Sequence, residues 1–317
     1  MKKYKIHSTD LEVSRIAYGT MHIGGSWNKD PLSEESKKKA SRLINAAVDC
    51  GINLIDLADI YTHGKSEESV GFVFKENPSL RDKIVLQGKC GIILNDSQTP
   101  EQPARYDFSY KHILVSVETT LRRTGSECLD LLAFHRPDPL VEPEELARAV
   151  DHLHTSGKVR YFGVSNHNWA QIELLKKHID QPLVVNQLEL SLMHHHLISD
   201  GILANTIIDS YSGSMGTLDY CRLHNMRIQA WSPLASGELF KKSSPSYELL
   251  ESLAKEHQCS KEAIALAWLL RHPAGFQPIL GTMNEERLRN AAKADAIELK
   301  RTQWYQLLES VRCASVP

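Results

Sequence analysis

The sequence predicts an α/β protein whose strands close into an eight-stranded (β/α)₈ barrel, and three observations lead there. Short apolar or β-branched runs alternate with stretches of helical spacing along the chain, giving about eight strand–helix pairs. No G-x-G-x-x-G follows the first strand or stands anywhere else, although a dinucleotide-binding doubly wound sheet should carry one. No Pro/Gly/Ser linker, charge block or low-complexity tract divides the 317 residues, so one unit spanning 1–317 is expected. The alternation alone fits either a barrel or a doubly wound sheet. The strand count and the missing glycine motif favour the barrel.

The candidate strands are residues 16–19, 54–57, 84–87, 129–134, 161–164, 183–186, 228–231 and 277–280, each short and largely apolar as buried parallel strands are. Between the first two, Ala40, Leu43, Ile44, Ala47 and Val48 recur at helical spacing over residues 36–50, and Gly51 is placed to end that helix. Residues 112–124 repeat the pattern with Ile113, Val117, Thr120 and Leu121 before Gly125. Residues 143–155 carry Leu146, Val150 and Leu153 before Gly157. Ser260 is a good N-cap for a helix bearing Ile264, Ala267 and Trp268. Thr302 is expected to cap a last helix through Trp304, Leu307, Leu308 and Val311.

Composition removes several function classes. The 37 Lys and Arg against 39 Asp and Glu give a formal charge of -2, which argues against non-specific nucleic-acid binding. No apolar run approaches the ~18 residues of a membrane span, and the basic start lacks the apolar stretch of a secretory signal. The six cysteines are scattered with no C-x-x-C pair, so reduced thiols in a cytoplasmic protein are expected.

In a barrel, chemistry collects at the C-terminal strand ends, where the βα loops form one open face. Those ends are polar here: Asp56 with Asp59 and Tyr61 close behind, Lys89, His135, Ser165-Asn166, Asn186-Gln187, Trp231-Ser232 and Gly281-Thr282. Each alone has an ordinary explanation as a cap, a turn former or a solvated loop residue. Together, Asp56, Tyr61, Lys89 and His135 make a proton-donating site. A tyrosine titrates near 10, too high for an efficient acid at neutrality. A lysine ammonium about 4 Å away favours phenolate by up to ~4 kcal/mol at an effective dielectric near 20. A carboxylate paired with that lysine keeps it in place, and a histidine beside the phenol directs a carbonyl. Such a site suits carbonyl reduction, with the hydride supplied by a cofactor because no side chain can.

Two long segments make the resemblance specific. Gly51-Ile52-Asn53-Leu54-Ile55-Asp56-Leu57-Ala58-Asp59-Ile60-Tyr61, followed by Gly64-Lys65-Ser66-Glu67, resembles the first signature of the aldo-keto reductases. Gly157-Lys158-Val159-Arg160-Tyr161-Phe162-Gly163-Val164-Ser165-Asn166 resembles another, with Asn186-Gln187 and Trp231-Ser232-Pro233-Leu234 as later landmarks. The likeness runs in order over residues 19–290. It implies a (β/α)₈ TIM barrel, with a short N-terminal segment closing the bottom and extra C-terminal helices, that binds NADP(H) without a Rossmann fold.

The family's catalytic tetrad maps onto Asp56, Tyr61, Lys89 and His135, with Tyr61 as general acid in reduction. Lys89 would lower the Tyr61 pKa, Asp56 would hold Lys89, and His135 would orient the carbonyl. Ser165, Asn166 and Gln187 would bond the nicotinamide carboxamide, and Trp231, where the family often has Tyr, would stack on the ring. Ser232, Pro233, Leu234 and Gly237 fall in the loop that wraps the pyrophosphate, with Lys241 or Lys242 as phosphate partners. Gly19 and Thr20 would approach by backbone. Gly281, Thr282, Arg287 and Asn290 align with the adenosine end. Many members have Lys where Gly281 stands, and a Glu-Asn pair where this chain has Asn290-Ala291, while Thr282 and Arg287 keep NADPH ahead of NADH.

The implied function is reduction of an aldehyde or ketone by NADPH on a small-molecule substrate. The alternative is a cofactor-binding redox sensor with little turnover, since the potassium-channel β subunits are similar and keep a tetrad. The sequence leaves the oligomeric state open, a monomer being plausible. Trp27 is a candidate wall of the substrate pocket, and residues 197–216 are long enough to form a lid. The run His194-His195-His196 invites a metal, but consecutive loop residues point different ways and no metal is expected.

Overall fold

The computed structural model describes residues 1–95, 102–202 and 216–316. An N-terminal hairpin pairs β1 (Lys3–Lys5) antiparallel with β2 (Glu12–Ser14). The chain then enters the barrel through β3 (Ala17–Gly19), β4 (Leu54–Asp56) and β5 (Val85–Cys90). A small antiparallel pair, β6 (Ile92–Ile93) with β7 (Arg105–Tyr106), follows β5 at the rim. The barrel continues with β8 (Leu129–Phe134), β9 (Val159–Ser165), β10 (Leu183–Glu189), β11 (Arg227–Trp231) and β12 (Gln277–Leu280). β12 pairs with β3, and eight parallel strands close in chain order. The TIM barrel predicted from the alternation is the fold observed.

Helices form where apolar spacing gave them one buried face. α1 (Glu34–Asp49) starts at Ser33, whose side chain accepts from the Ser36 amide, and buries Ala40, Leu43, Ile44 and Ala47. α2 (Lys65–Glu76), α3 (Tyr110–Thr124), α4 (Pro143–Thr155) and α5 (Trp169–Lys176) follow their strands outside the barrel. Gly125 ends α3 in a left-handed conformation at φ 64°, a position glycine adopts without strain. α6 (His196–Ile202) and α7 (Thr217–Leu223) flank residues 203–215, so the expected lid lies largely outside the described residues. α8 (Tyr247–Glu256), α9 (Lys261–Arg271), α10 (Glu285–Ala292) and α11 (Arg301–Arg312) complete the shell.

α11 departs from expectation at its start. Thr302 does not cap it; the helix begins at Arg301, two residues before a Thr302 cap would start it, and Gln303 Oε1 accepts from the Lys300 amide. What docks α11 is a stacked pair, Trp268 and Trp304, with ring centroids 5.2 Å apart. Each indole N–H donates to the other residue's carbonyl, at 3.1 and 3.0 Å, so both buried donors are satisfied.

The core has two parts. The larger lies between strands and helices. The smaller fills the bottom of the barrel, where Ile6, Leu11 and Val13 of the hairpin pack against Ala17, Leu54, Val85, Leu131 and Ile279. The hairpin is therefore the plug that closes the barrel floor, as expected. The register sets Gly19, Asp56 and Gln87 in one row, and Ser165 beside Gln187, which aligns the polar strand ends at one face.

Candidate active site

Asp56 ends β4, and its backbone carbonyl is pinned by the amide and hydroxyl of Thr20 at 3.1 and 2.8 Å. Five residues on, the chain turns sharply at residues 61–64, with Thr62 and His63 both left-handed at φ 48° and 58°. A β-branched residue there is strained by about 1–3 kcal/mol, so packing must hold it. The Thr62 hydroxyl lies 3.0 Å from that of Ser66, which donates to the Thr20 carbonyl at 2.8 Å. This turn aims Tyr61 into the barrel mouth.

Lys89 shares the inward side of β5 with Gln87, as the two-residue period requires. Its Nζ lies 2.5 Å from Asp56 Oδ1 and 5.0 Å from the centre of the Tyr61 ring, with the lysine side chain fully buried. His135 follows β8 directly and meets Tyr61 edge-on, with centroids 5.9 Å apart. All four residues picked at the sequence level thus converge on one point.

Their protonation follows from burial and mutual charge. Burial pulls the Lys89 ammonium down, but Asp56 and then Tyr61 outweigh it and leave lysine raised. Burial, with the charges of Lys89 and Arg136, holds His135 well below the ordinary histidine value, so it is a neutral imidazole. Tyr61 corrects one expectation. The sequence predicts a phenol lowered by Lys89; burial instead raises it, Lys89 lowers it, Asp56 raises it again, and the outcome is upward. The reason is that Asp56 sits on Lys89 and offsets its charge while the barrel walls exclude water.

A groove of about 680 Å³ opens over these side chains. Its floor holds Asp56, Tyr61 and His135, and its walls include Gly19, Ser165, Asn166, Gln187 and Trp231. One arm runs past Ser232, Pro233, Leu234 and Gly237 to Gly281, Thr282 and Arg287. Trp27 stands at the mouth, its ring edge-on to His63. Asn166 donates to Ser165 Oγ and the His135 carbonyl, and accepts from the Trp231 indole at 2.9 Å.

Three expected cofactor contacts lie outside the groove. Thr20 is buried behind it, its amide and hydroxyl both spent on Asp56. Lys241 is drawn aside by Glu238, which its ammonium meets at 2.7 Å. Asn290 accepts from Lys293 on the surface, and its neighbour Ala291 lines the groove instead.

Sequence reasoning missed Met21, His22, Ile60, Ile92, Arg136 and Glu262, which also line the groove. Arg136 was legible as the residue after His135; its guanidinium lies 5.8 Å from the Trp231 ring. Glu262 sits in the first turn of α9, where nothing in the spacing marks it. His194, His195 and His196 were set aside at the sequence level. His195 is occupied with Ser199 at 2.7 Å, and His196 opens α6. Among the described residues, no group of three or more His, Cys, Asp and Glu could hold a metal ion, and no helix is long and apolar enough to cross a membrane.

Comparison with known proteins agrees with this geometry. The model of the Aldo/keto reductase family matches residues 15–312. A 6-dehydroglucose reductase from Agrobacterium fabrum is 38% identical, the match covering 95% of each chain. A glycerol dehydrogenase structure from Gluconobacter oxydans superposes with a TM-score of 0.79 at 26% identity, covering 98% of this chain and 95% of that one. An aldo-keto reductase from Klebsiella pneumoniae, solved with NADPH, shares the fold at a TM-score of 0.77 and 24% identity, covering 100% of this chain and 97% of that one. With a closed barrel, four converging titratable side chains at its mouth and a family match over nearly the whole chain, this protein belongs to the Aldo/keto reductase family and is an oxidoreductase.

Proposed function

We propose that this oxidoreductase reduces the carbonyl of a small aldehyde or ketone with NADPH, and that Tyr61 gives the proton. The observation that carries the reading is the meeting of Asp56, Lys89, Tyr61 and His135 at the floor of the groove. The groove residues fit a nicotinamide dinucleotide. Trp231 offers an aromatic face, Asn166 and Gln187 offer amide oxygens, and exposed Arg287 stands at the far end where a 2′-phosphate would need a cation. When bound, the cofactor supplies the hydride.

The chain's own residues manage the proton and the geometry. Tyr61 donates its hydroxyl proton to the carbonyl oxygen as negative charge builds there. Lys89 stabilises the phenolate left behind, and Asp56 holds Lys89 in place through a buried pair. Neutral His135 has a buried Nδ1 without a partner and donates from Nε2 to the same oxygen, which fixes the carbonyl's direction. The mouth combines Met21, Trp27, Ile60 and Ile92 with the Arg136 guanidinium, a surface suited to a carbonyl compound bearing a polar substituent. The name of the Agrobacterium relative makes a hexose 6-aldehyde a natural member of the test panel.

The test is loss of NADPH absorbance on purified protein against aldehydes, ketones, diketones, quinones and a hexose 6-aldehyde. Turnover on any of them supports the reading. Tight NADPH binding without turnover across the panel would move the protein to the redox-sensing class.

A further inference from the structure

We propose that Gln87, Gln229 and Gln277 are positioning residues: a chain of buried amides that holds Asp56 against Lys89 and decides which end of the Gln187 amide faces the groove. The inference rests on the reductase reading above. A (β/α)₈ interior is ordinarily packed with branched apolar side chains, and the floor of this barrel is. Directly above that floor the filling changes to amides. Gln87, Gln229 and Gln277 are fully buried and Gln187 nearly so. The strand register sets Asp56 opposite Gln87, Gln187 opposite Gln229, and Gln229 opposite Gln277.

Each hydrogen bond of the network has a definite donor, and Gln87 and Gln229 exchange a reciprocal pair. The Ser14 carbonyl can only accept, so Gln277 turns its NH₂ to it, at 2.7 Å. Gln277 Oε1 then takes a proton from Gln229 Nε2 at 3.0 Å, and the second Gln229 proton goes to Gln87 Oε1 at 2.8 Å. Gln87 in turn gives both its amide protons, to Asp56 Oδ1 and Gln229 Oε1, each at 2.8 Å. Gln187 Nε2 reaches the same two acceptors at 2.9 and 3.2 Å.

Two consequences follow. Asp56 Oδ1 is gripped by Gln87, Gln187 and Lys89 together, so the ion pair has one geometry. With both Nε2 protons used inward, Gln187 can offer a ligand only its oxygen, which selects the NH₂ end of a carboxamide. A fully satisfied buried network of this kind specifies one arrangement; apolar side chains of similar volume would fill the space as well.

The test is Gln229→Met, because Gln229 bonds neither Lys89 nor Tyr61 and does not line the groove, and methionine keeps its volume. Tyr61 faces Lys89 from β5, Asp56 from β4, Asp59 from its own loop and His135 from beyond β8. A looser Asp56 lets Lys89 shift against the phenol and changes how far its charge is offset, so the phenol titrates at a different pH. In the variant, kcat should fall about tenfold with the carbonyl KM unchanged. The alkaline limb of the reduction profile should move away from its wild-type pH, and the NADPH dissociation constant, read by fluorescence quenching, should rise several-fold. Gln87→Met, one bond nearer to Asp56, should show the same changes more strongly and serves if Gln229→Met does not fold. A lower Tm with kcat, pH profile and NADPH affinity all at wild-type values would overturn the inference, the amides being packing alone. A wild type that neither binds NADPH nor turns over would overturn the reductase reading and this inference with it.

Discussion

The indole N–H of Trp231 donates to Asn166 Oδ1 at 2.9 Å, tying the end of β11 to the residue after β9 across the groove. Asn166 is itself left-handed at φ 62°, a conformation asparagine tolerates better than most residues, and its two amide protons are spent on Ser165 and His135. Three groove walls are therefore fixed to one another before any ligand arrives. Trp231→Phe keeps an aromatic face and loses that tie. It is expected to weaken NADPH binding about three- to tenfold and to remove most of the NADPH-induced quenching of protein fluorescence. Undiminished quenching in the variant would show that Trp231 does not lie against the cofactor.

Replacing Tyr61 by Phe removes the proton donor while leaving the ring that meets His135 and Lys89. Turnover should drop by about 10²–10⁴-fold with NADPH affinity unchanged within a factor of about three. Steady-state rates and fluorescence titration on the same preparation check this. A rate within tenfold of wild type would place the proton donor elsewhere.

Arg287 is the one cation lining the adenosine arm of the groove among the described residues, Gly281 having no side chain and Lys241 being held by Glu238. Arg287→Ala should therefore weaken NADPH by about tenfold and leave NADH nearly unchanged. Parallel titrations with both cofactors decide it. Equal losses for the two would mean that Arg287 packs on adenine and does not read the 2′-phosphate.

Asp59 is half-buried two residues before Tyr61, with Oδ1 shut off from water, and that desolvation pushes it up to about 7, against the lowering effect of the Ser116 hydroxyl and with Glu67 raising it further. Its folded value lies above the ordinary 3.8, so its contribution to stability is fully present below that value and is lost as pH rises through about 7. Asp59→Asn mimics the protonated form. It should flatten the stability profile between about pH 4 and 7 and gain about 1–3 kcal/mol at pH 8. Urea unfolding at pH 5 and pH 8 measures both, and a variant with the wild-type pH slope would refute the assignment.

Much of the architecture was legible because hydropathy and its periodicity are local properties of a sequence. The strand beginning at Leu129 and the helix ending at Thr124 stand where their apolar runs put them, and Gly125 and Gly157 follow α3 and α4 with φ of 64° and 73°. The tetrad was legible for a related reason. Asp56, Lys89 and His135 all fall at C-terminal strand ends, and a parallel barrel brings every such end to one face. Thr302 was misread because capping depends on which residue first turns helical, and the Gln303 side chain settled that at Lys300. Lys241 stands outside the groove because a loop cation goes to the nearest carboxylate, here Glu238.

By itself, then, the order of residues determined the alternation of strands and helices, the eight strands of the barrel, and the four side chains that share its mouth. Tertiary structure alone decided how those groups behave. Whether Lys89 or burial governs Tyr61 depends on how much water the walls exclude and on where Asp56 lies, and burial prevails. That Gln87, Gln187, Gln229 and Gln277 join in one network depends on strand register and barrel closure, which set residues up to 142 positions apart at hydrogen-bond distance. Local spacing carries no record of such pairings, because register and desolvation are properties of the closed barrel.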